Sequence, residues 1–114
     1  MIEQEQNMTN AKVKKIADTI SRCVPVEKIY LFGSHAYGKP GKGSDFDFFV
    51  VIPDGDMRPI EAMRQIHHAL HPLNLDDPVD VLASYKSKFD EMKQYNTTLE
   101  RTVDRRGVLL YERV

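Results

Sequence analysis

Leu31-Phe32-Gly33-Ser34, ten further residues, then Asp45-Phe46-Asp47-Phe48-Phe49-Val50-Val51-Ile52 is the stretch that decides the fold. It reads as a short apolar strand, a tight turn, a polar loop, and a second strand opening with two carboxylates. Side chains alternate faces along a strand, so Asp45 and Asp47 share one face, about 6 to 7 Å apart at a rise of ~3.3 Å per residue. That separation suits one divalent ion, or two ions roughly 3.5 to 4 Å apart. The Gly33-Ser34 turn offers backbone N–H groups and a hydroxyl to an anion, and glycine lets the backbone approach closely. Together the two features call for a metal and a phosphate.

Beyond its aspartates the strand at 45–52 is apolar on both faces, which predicts a central position in a sheet. Working outward, Lys28 to Phe32 reads as the strand before it. Upstream, Thr9 or Asn10 can cap a helix running to about Cys23, with Val13, Ile16, Ala17, Ile20 and Val24 at helical spacing, and Pro25 stops it. Residues 1–8 read as a loose tail, and 9–114 as a single domain. Downstream, Pro53-Asp54-Gly55-Asp56 is a turn. Arg58 to about Leu70 is an amphipathic helix with Ile60, Met63, Ile66 or His67, and Leu70 on one face, ended by Pro72. Pro78 to Ser84 reads as a third strand. Ser87 to Arg106 carries helix formers with a break near Asn96. Gly107 ends the last helix, and Val108 to Tyr111 form a short fourth strand. The order α-β-β-α-β-α-β predicts an α/β (α+β) domain with a small mixed sheet of about four strands, its helices packed mainly on one face.

Asp80 stands between Val79 and Val81 in the third strand. If that strand lies beside 45–52, Asp80 can face the side of Asp45 and Asp47, and three carboxylates surround one site. Each part alone has a plain explanation: a Gly-Ser turn, an acidic strand end, an aspartate following Asp76-Asp77. Unpaired charges against an apolar sheet are costly, and a cation would relieve the repulsion between them. Lys39 and Lys42 in the intervening loop can each reach a phosphate.

Two competing patterns fail on detail. Gly33 to Lys39 follows a strand like a P-loop, but Pro40 stands where that motif needs a Ser or Thr for Mg²⁺, and proline lacks the N–H of a phosphate cradle. His67 and His71 have the helical spacing of a zinc pair, but no Glu follows His67 and no third ligand has partner spacing. The basic residues Lys86, Lys88, Lys93, Arg101, Arg105 and Arg106 read first as solvated helix faces, with contact to a triphosphate or an acidic partner as the alternative.

Composition narrows the classes. The chain has 114 residues, 41% hydrophobic and 29% charged, an ordinary globular balance for one domain. A net charge of −1 argues against gripping long nucleic acid through the overall field. Cys23 is the only cysteine, so no internal disulfide can form, and with no signal peptide or membrane-length apolar run the expected compartment is the cytoplasm.

Gly33-Ser34, ten residues, then Asp45-x-Asp47 resembles the pattern of the DNA polymerase β-like nucleotidyltransferase superfamily. The small size, the strand Val79-Asp80-Val81-Leu82 and the ending Arg106-Gly107-Val108-Leu109-Leu110-Tyr111-Glu112 are similar to its minimal branch, the MNT proteins, encoded beside HEPN proteins in toxin–antitoxin pairs. The resemblance runs from about Lys12 to Glu112. It implies a palm-like mixed sheet and two divalent ions, Mg²⁺ or Mn²⁺, held by Asp45, Asp47 and Asp80, with Asp80 helping to deprotonate the attacking hydroxyl. Gly33 and Ser34 would seat the β and γ phosphates of ATP, with Lys42 and Ser44 as further nucleotide contacts. The implied reaction transfers AMP to a tyrosine of a HEPN RNase toxin, as the antitoxin of a type VII-like pair. Two alternatives stand beside it: a non-catalytic module that occludes the toxin, and a nucleotidyltransferase acting on a small molecule or RNA end.

Overall fold

The computed structural model describes residues 2–38 and 45–114, the side chains of 2–9 excepted. The elements in order are α1 (Ile2–Cys23), β1 (Lys28–Phe32), α2 (Ser34–Tyr37), β2 (Phe46–Ile52), α3 (Pro59–Leu70), a 3-10 turn (His71–Leu73), β3 (Val79–Tyr85), α4 (Lys86–Met92), α5 (Leu99–Arg106) and β4 (Val108–Glu112). The strands form a four-stranded sheet in the order β3-β2-β1-β4. β1 runs antiparallel to β2 and to β4, while β2 and β3 are parallel and joined through α3. A parallel neighbour requires such a crossover. β2 is central, and six of its seven side chains are buried, as its two-sided apolar sequence predicts.

The alternation along the strands divides the core in two. Ile29, Leu31, Phe46, Phe48, Val50, Ile52 and Val81 pack against Val13, Ile16, Ala17, Ile20 of α1 and Ala62, Ile66, Leu70 of α3. Tyr30, Phe49 and Val51 point the other way, to Phe89 of α4 and Val103 of α5. The two long helices thus cover one face, and two short ones cover part of the other.

Several boundaries differ from the sequence reading. α1 starts at Ile2, so residues 2–8, read as a tail, continue the helix past Thr9 and Asn10. α3 buries Ala62, Ile66 and Leu70, while Ile60 is half exposed. At 100° per residue Ile60 stands about 120° around the helix from Ile66, off the stripe that Ala62, Ile66 and Leu70 mark. Pro72 does not stop α3 outright; it sits inside the 3-10 turn, and Asn74 in the left-handed region (φ 50°) ends the segment. The break expected near Asn96 lies between Met92 and Leu99, where the Thr98 hydroxyl accepts from the Arg101 N–H at 3.1 Å and caps α5.

Candidate active site

Gly33 closes β1 with φ 75° and ψ −156°, a region that glycine alone occupies without strain. It also lies so close to β2 that a Cβ there would run into Oδ2 of Asp47. The chain then winds into α2, where the N–H groups of Ala36 and Tyr37 donate to the Gly33 carbonyl at 3.0 and 3.1 Å, and Gly38 N–H donates to the Ser34 carbonyl at 3.0 Å. His35 stacks on Phe46 with ring centroids 3.9 Å apart and planes 14° off parallel. This stack fastens the turn to the first residue of β2.

The carboxylates converge on that turn. Asp45 immediately precedes β2, and Asp47 and Asp80 occupy the second positions of β2 and β3. The parallel register sets Asp47 directly beside Asp80, so the two share a face. The Phe46 N–H donates to the Pro78 carbonyl at 2.9 Å and fixes the start of both strands. Asp80 lies close enough to Asp45 for the two carboxyl groups to interact. Hydrogen bonding to Asp80 is the first cause holding the Asp45 carboxyl above the ordinary range, with desolvation and the Asp80 charge behind it. Asp47 is also raised, first by burial, then by the charges of Asp80 and Asp45, against a smaller opposing pull from His35. The sequence reading set these acids against an apolar sheet. In the structure they stand at its open rim: Asp45 and Asp80 are exposed, Asp47 is half-buried, and no charged side chain is buried among the described residues.

The donor set is right in kind for Mg²⁺ or Mn²⁺: hard oxygens whose mutual repulsion a cation would relieve. Among the described residues no three His, Cys, Asp or Glu side chains stand together as a ready-made metal site. None is required, because Mg²⁺ keeps waters and shares oxygens with a substrate phosphate. Lys42 and Ser44, expected at the nucleotide, lie outside the described residues, as does Lys39.

One contact at the turn escaped the sequence reading. The Arg106 guanidinium lies over the Tyr37 ring, 4.4 Å from its centroid. The only local signal was Gly107, whose tight seat against the Val103 and Leu31 carbonyls brings the end of α5 to the end of β1. By contrast, Lys86 and Lys93 are paired with Asp90 at 2.8 and 3.4 Å, away from the turn. His67 and His71 line a groove of about 350 Å³ together with Asp77, which Lys12 engages at 2.6 Å.

Comparison with known proteins bears on the fold that carries this site. The profile of the nucleotidyltransferase domain matches residues 13–105. No curated protein sequence matches significantly. Among solved structures, the chain is similar to one in a toxin–antitoxin crystallised with AMP-PNP, at 26% identity, TM-score 0.62, covering 87% of this chain and 72% of that one. A candidate nucleotidyltransferase from Sulfolobus solfataricus shares the fold at 21% identity and TM-score 0.64, covering 98% and 86%. So does a chain of a mutant toxin–antitoxin MntA–HpeT, at 24% identity and TM-score 0.61, covering 87% and 72%. A matched span running from α1 through α5, on a mixed sheet whose rim gathers a glycine turn and three aspartates, places the chain in the nucleotidyltransferase domain family.

Proposed function

We propose that this chain is a metal-dependent adenylyltransferase that moves AMP from ATP to a tyrosine hydroxyl of a partner toxin, an RNase of the HEPN class, and so acts as its antitoxin. The observation that carries the reading is the shared rung of Asp47 and Asp80, with Asp45 beside them and Asp47 against the Gly33-Ser34 turn. Family membership supports nucleotidyl transfer. The similarity to a toxin–antitoxin crystallised with AMP-PNP supports an adenine nucleotide and a toxin partner. The HEPN class rests on the resemblance of the motif and the C-terminal strand.

Asp45, Asp47 and Asp80 would hold two divalent ions, whose charge would stabilise the phosphoryl oxygens and the departing pyrophosphate. The Gly33-Ser34 turn binds the β and γ phosphates through its backbone and hydroxyl and aims the α-phosphate at the rim. The acceptor hydroxyl attacks in line: its oxygen bonds to the α-phosphorus, the bond to the β-phosphate oxygen breaks, and pyrophosphate leaves. Asp80 takes the hydroxyl proton. Asp80 is exposed, so an acceptor carried on another protein can reach it from solvent.

The test is transfer of label from α-labelled ATP to the co-purified toxin with Mg²⁺. The wild type labels the toxin, and Asp47→Ala and Asp80→Asn each lose about 10²-fold or more in rate, the order expected when a positioned acid–base or metal-binding group is removed. Equal protection of cells by wild type and Asp47→Ala would instead establish occlusion as sufficient.

A further inference from the structure

Arg106 is an exposed residue at the last position of α5, and no acidic side chain among the described residues forms an ion pair with it. Two independent contacts hold it at the Gly33-Ser34 turn rather than in open solvent. Its guanidinium covers the ring of Tyr37, three residues after Ser34, at 4.4 Å from the centroid. The next residue, Gly107, is seated so tightly that a Cβ there would approach the Leu31 carbonyl to 3.2 Å, two residues before Gly33. Val108 then pairs with Leu31 across the ladder. The backbone thus fixes where α5 ends, and the ring fixes where the side chain lies.

An arginine laid on an aromatic face keeps the edge of its fork available. Its five N–H donors suit the oxygens of a phosphate, and it stays charged at every working pH. The rim beside it carries three carboxylates, so a polyanionic ligand there needs positive charge from the protein as well as from metal. We propose that Arg106 binds the terminal phosphates of the nucleoside triphosphate and that Tyr37 is its positioning residue. This rests on the nucleotide reading of the site, and it adds a protein cation to that site, delivered by the helix that precedes the last strand.

The test is calorimetric binding of ATP and of AMP, each with Mg²⁺, to the full chain. A charge-assisted contact predicts that Arg106→Gln weakens ATP about 10-fold or more and leaves AMP unchanged, because AMP lacks the β and γ phosphates. Arg106→Lys keeps the charge without the fork and falls between. Tyr37→Phe retains the ring and wild-type affinity, whereas Tyr37→Leu loses about 2- to 5-fold for ATP only. Melting temperatures within a degree or two of wild type separate these effects from misfolding. Arg106→Gln binding ATP as tightly as wild type overturns the assignment while leaving the nucleotide site intact. Wild-type protein that binds neither nucleotide overturns the nucleotide reading, and the assignment with it.

Discussion

Substituting Gly33 by alanine tests whether backbone and carboxylate are matched as the structure has them. Two penalties are expected. A residue with a Cβ held at φ 75° and ψ −156° is strained by about 1 to 3 kcal/mol. The added carbon also collides with Oδ2 of Asp47 and lies 3.2 Å from its Cγ, an overpacking cost of about 1 to 3 kcal/mol, less if the carboxylate rotates away. The two penalties can be separated. In an Asp47→Ala background the Cβ of residue 47 remains 3.5 Å away, ordinary contact, so only the backbone strain survives. Gly33→Ala should therefore cost about 2 to 4 kcal/mol in wild type and about 1 to 2 kcal/mol less in the Asp47→Ala background. Urea unfolding of the four proteins in the cycle, in EDTA, measures this. Additivity within ~0.5 kcal/mol would refute the contact, and a wild-type-like Gly33→Ala would refute the strained turn as well.

Other consequences follow from the same rim and from the second face. The folded pKa values of Asp45 and Asp47 are raised, so the native state binds more protons than the unfolded chain, and their contribution to stability falls as pH rises from the unfolded value of about 4 through the raised folded value. Asp47→Asn in EDTA should then melt above wild type at pH 7, by about 1 kcal/mol for a like-charge pair ~5 Å apart in water-like dielectric, or about 4 °C, with the gap closing below pH ~4. A gap that does not change with pH would contradict the mutual repulsion. Phe89 is 1% exposed and packs its ring 5.7 Å from Tyr30 and 5.3 Å from Phe49. Phe89→Ala should cost about 3 to 5 kcal/mol in denaturant unfolding. A loss under ~1 kcal/mol would mean that α4 does not cover the sheet as described.

The sequence showed most where periodicity is strict. Val13, Ile16, Ala17 and Ile20 mark one stripe of α1, Val24 follows directly after its end, and all are buried. The two-sided apolar run of β2 marked the centre of the sheet, and once β3 lies beside it, alternation alone turns Asp80 toward Asp47. What it hid depends on contacts distant in the chain. α4 and α5 are seven and eight residues long, too short for periodicity to say which face of the sheet they cover. Nothing local tells that Arg106 lies over Tyr37, or that the carboxylates stand at a wet rim rather than against the core. The Ile60 stripe misled because several apolar stripes fit the helical spacing, and the one that faces the sheet is centred on Ala62, Ile66 and Leu70.

The link from β2 through α3 to β3 works as a ruler. Asp80 reaches the rim only while the rung it shares with Asp47 is kept, and sliding β3 by one residue would turn its carboxylate into the hydrophobic layer beneath α3. Insertions and deletions in the surface segments at either end of α3 are therefore harmless to catalysis only where they leave that alignment untouched. Length variation among relatives should accumulate there in forms that the loops absorb without passing it on to the strand.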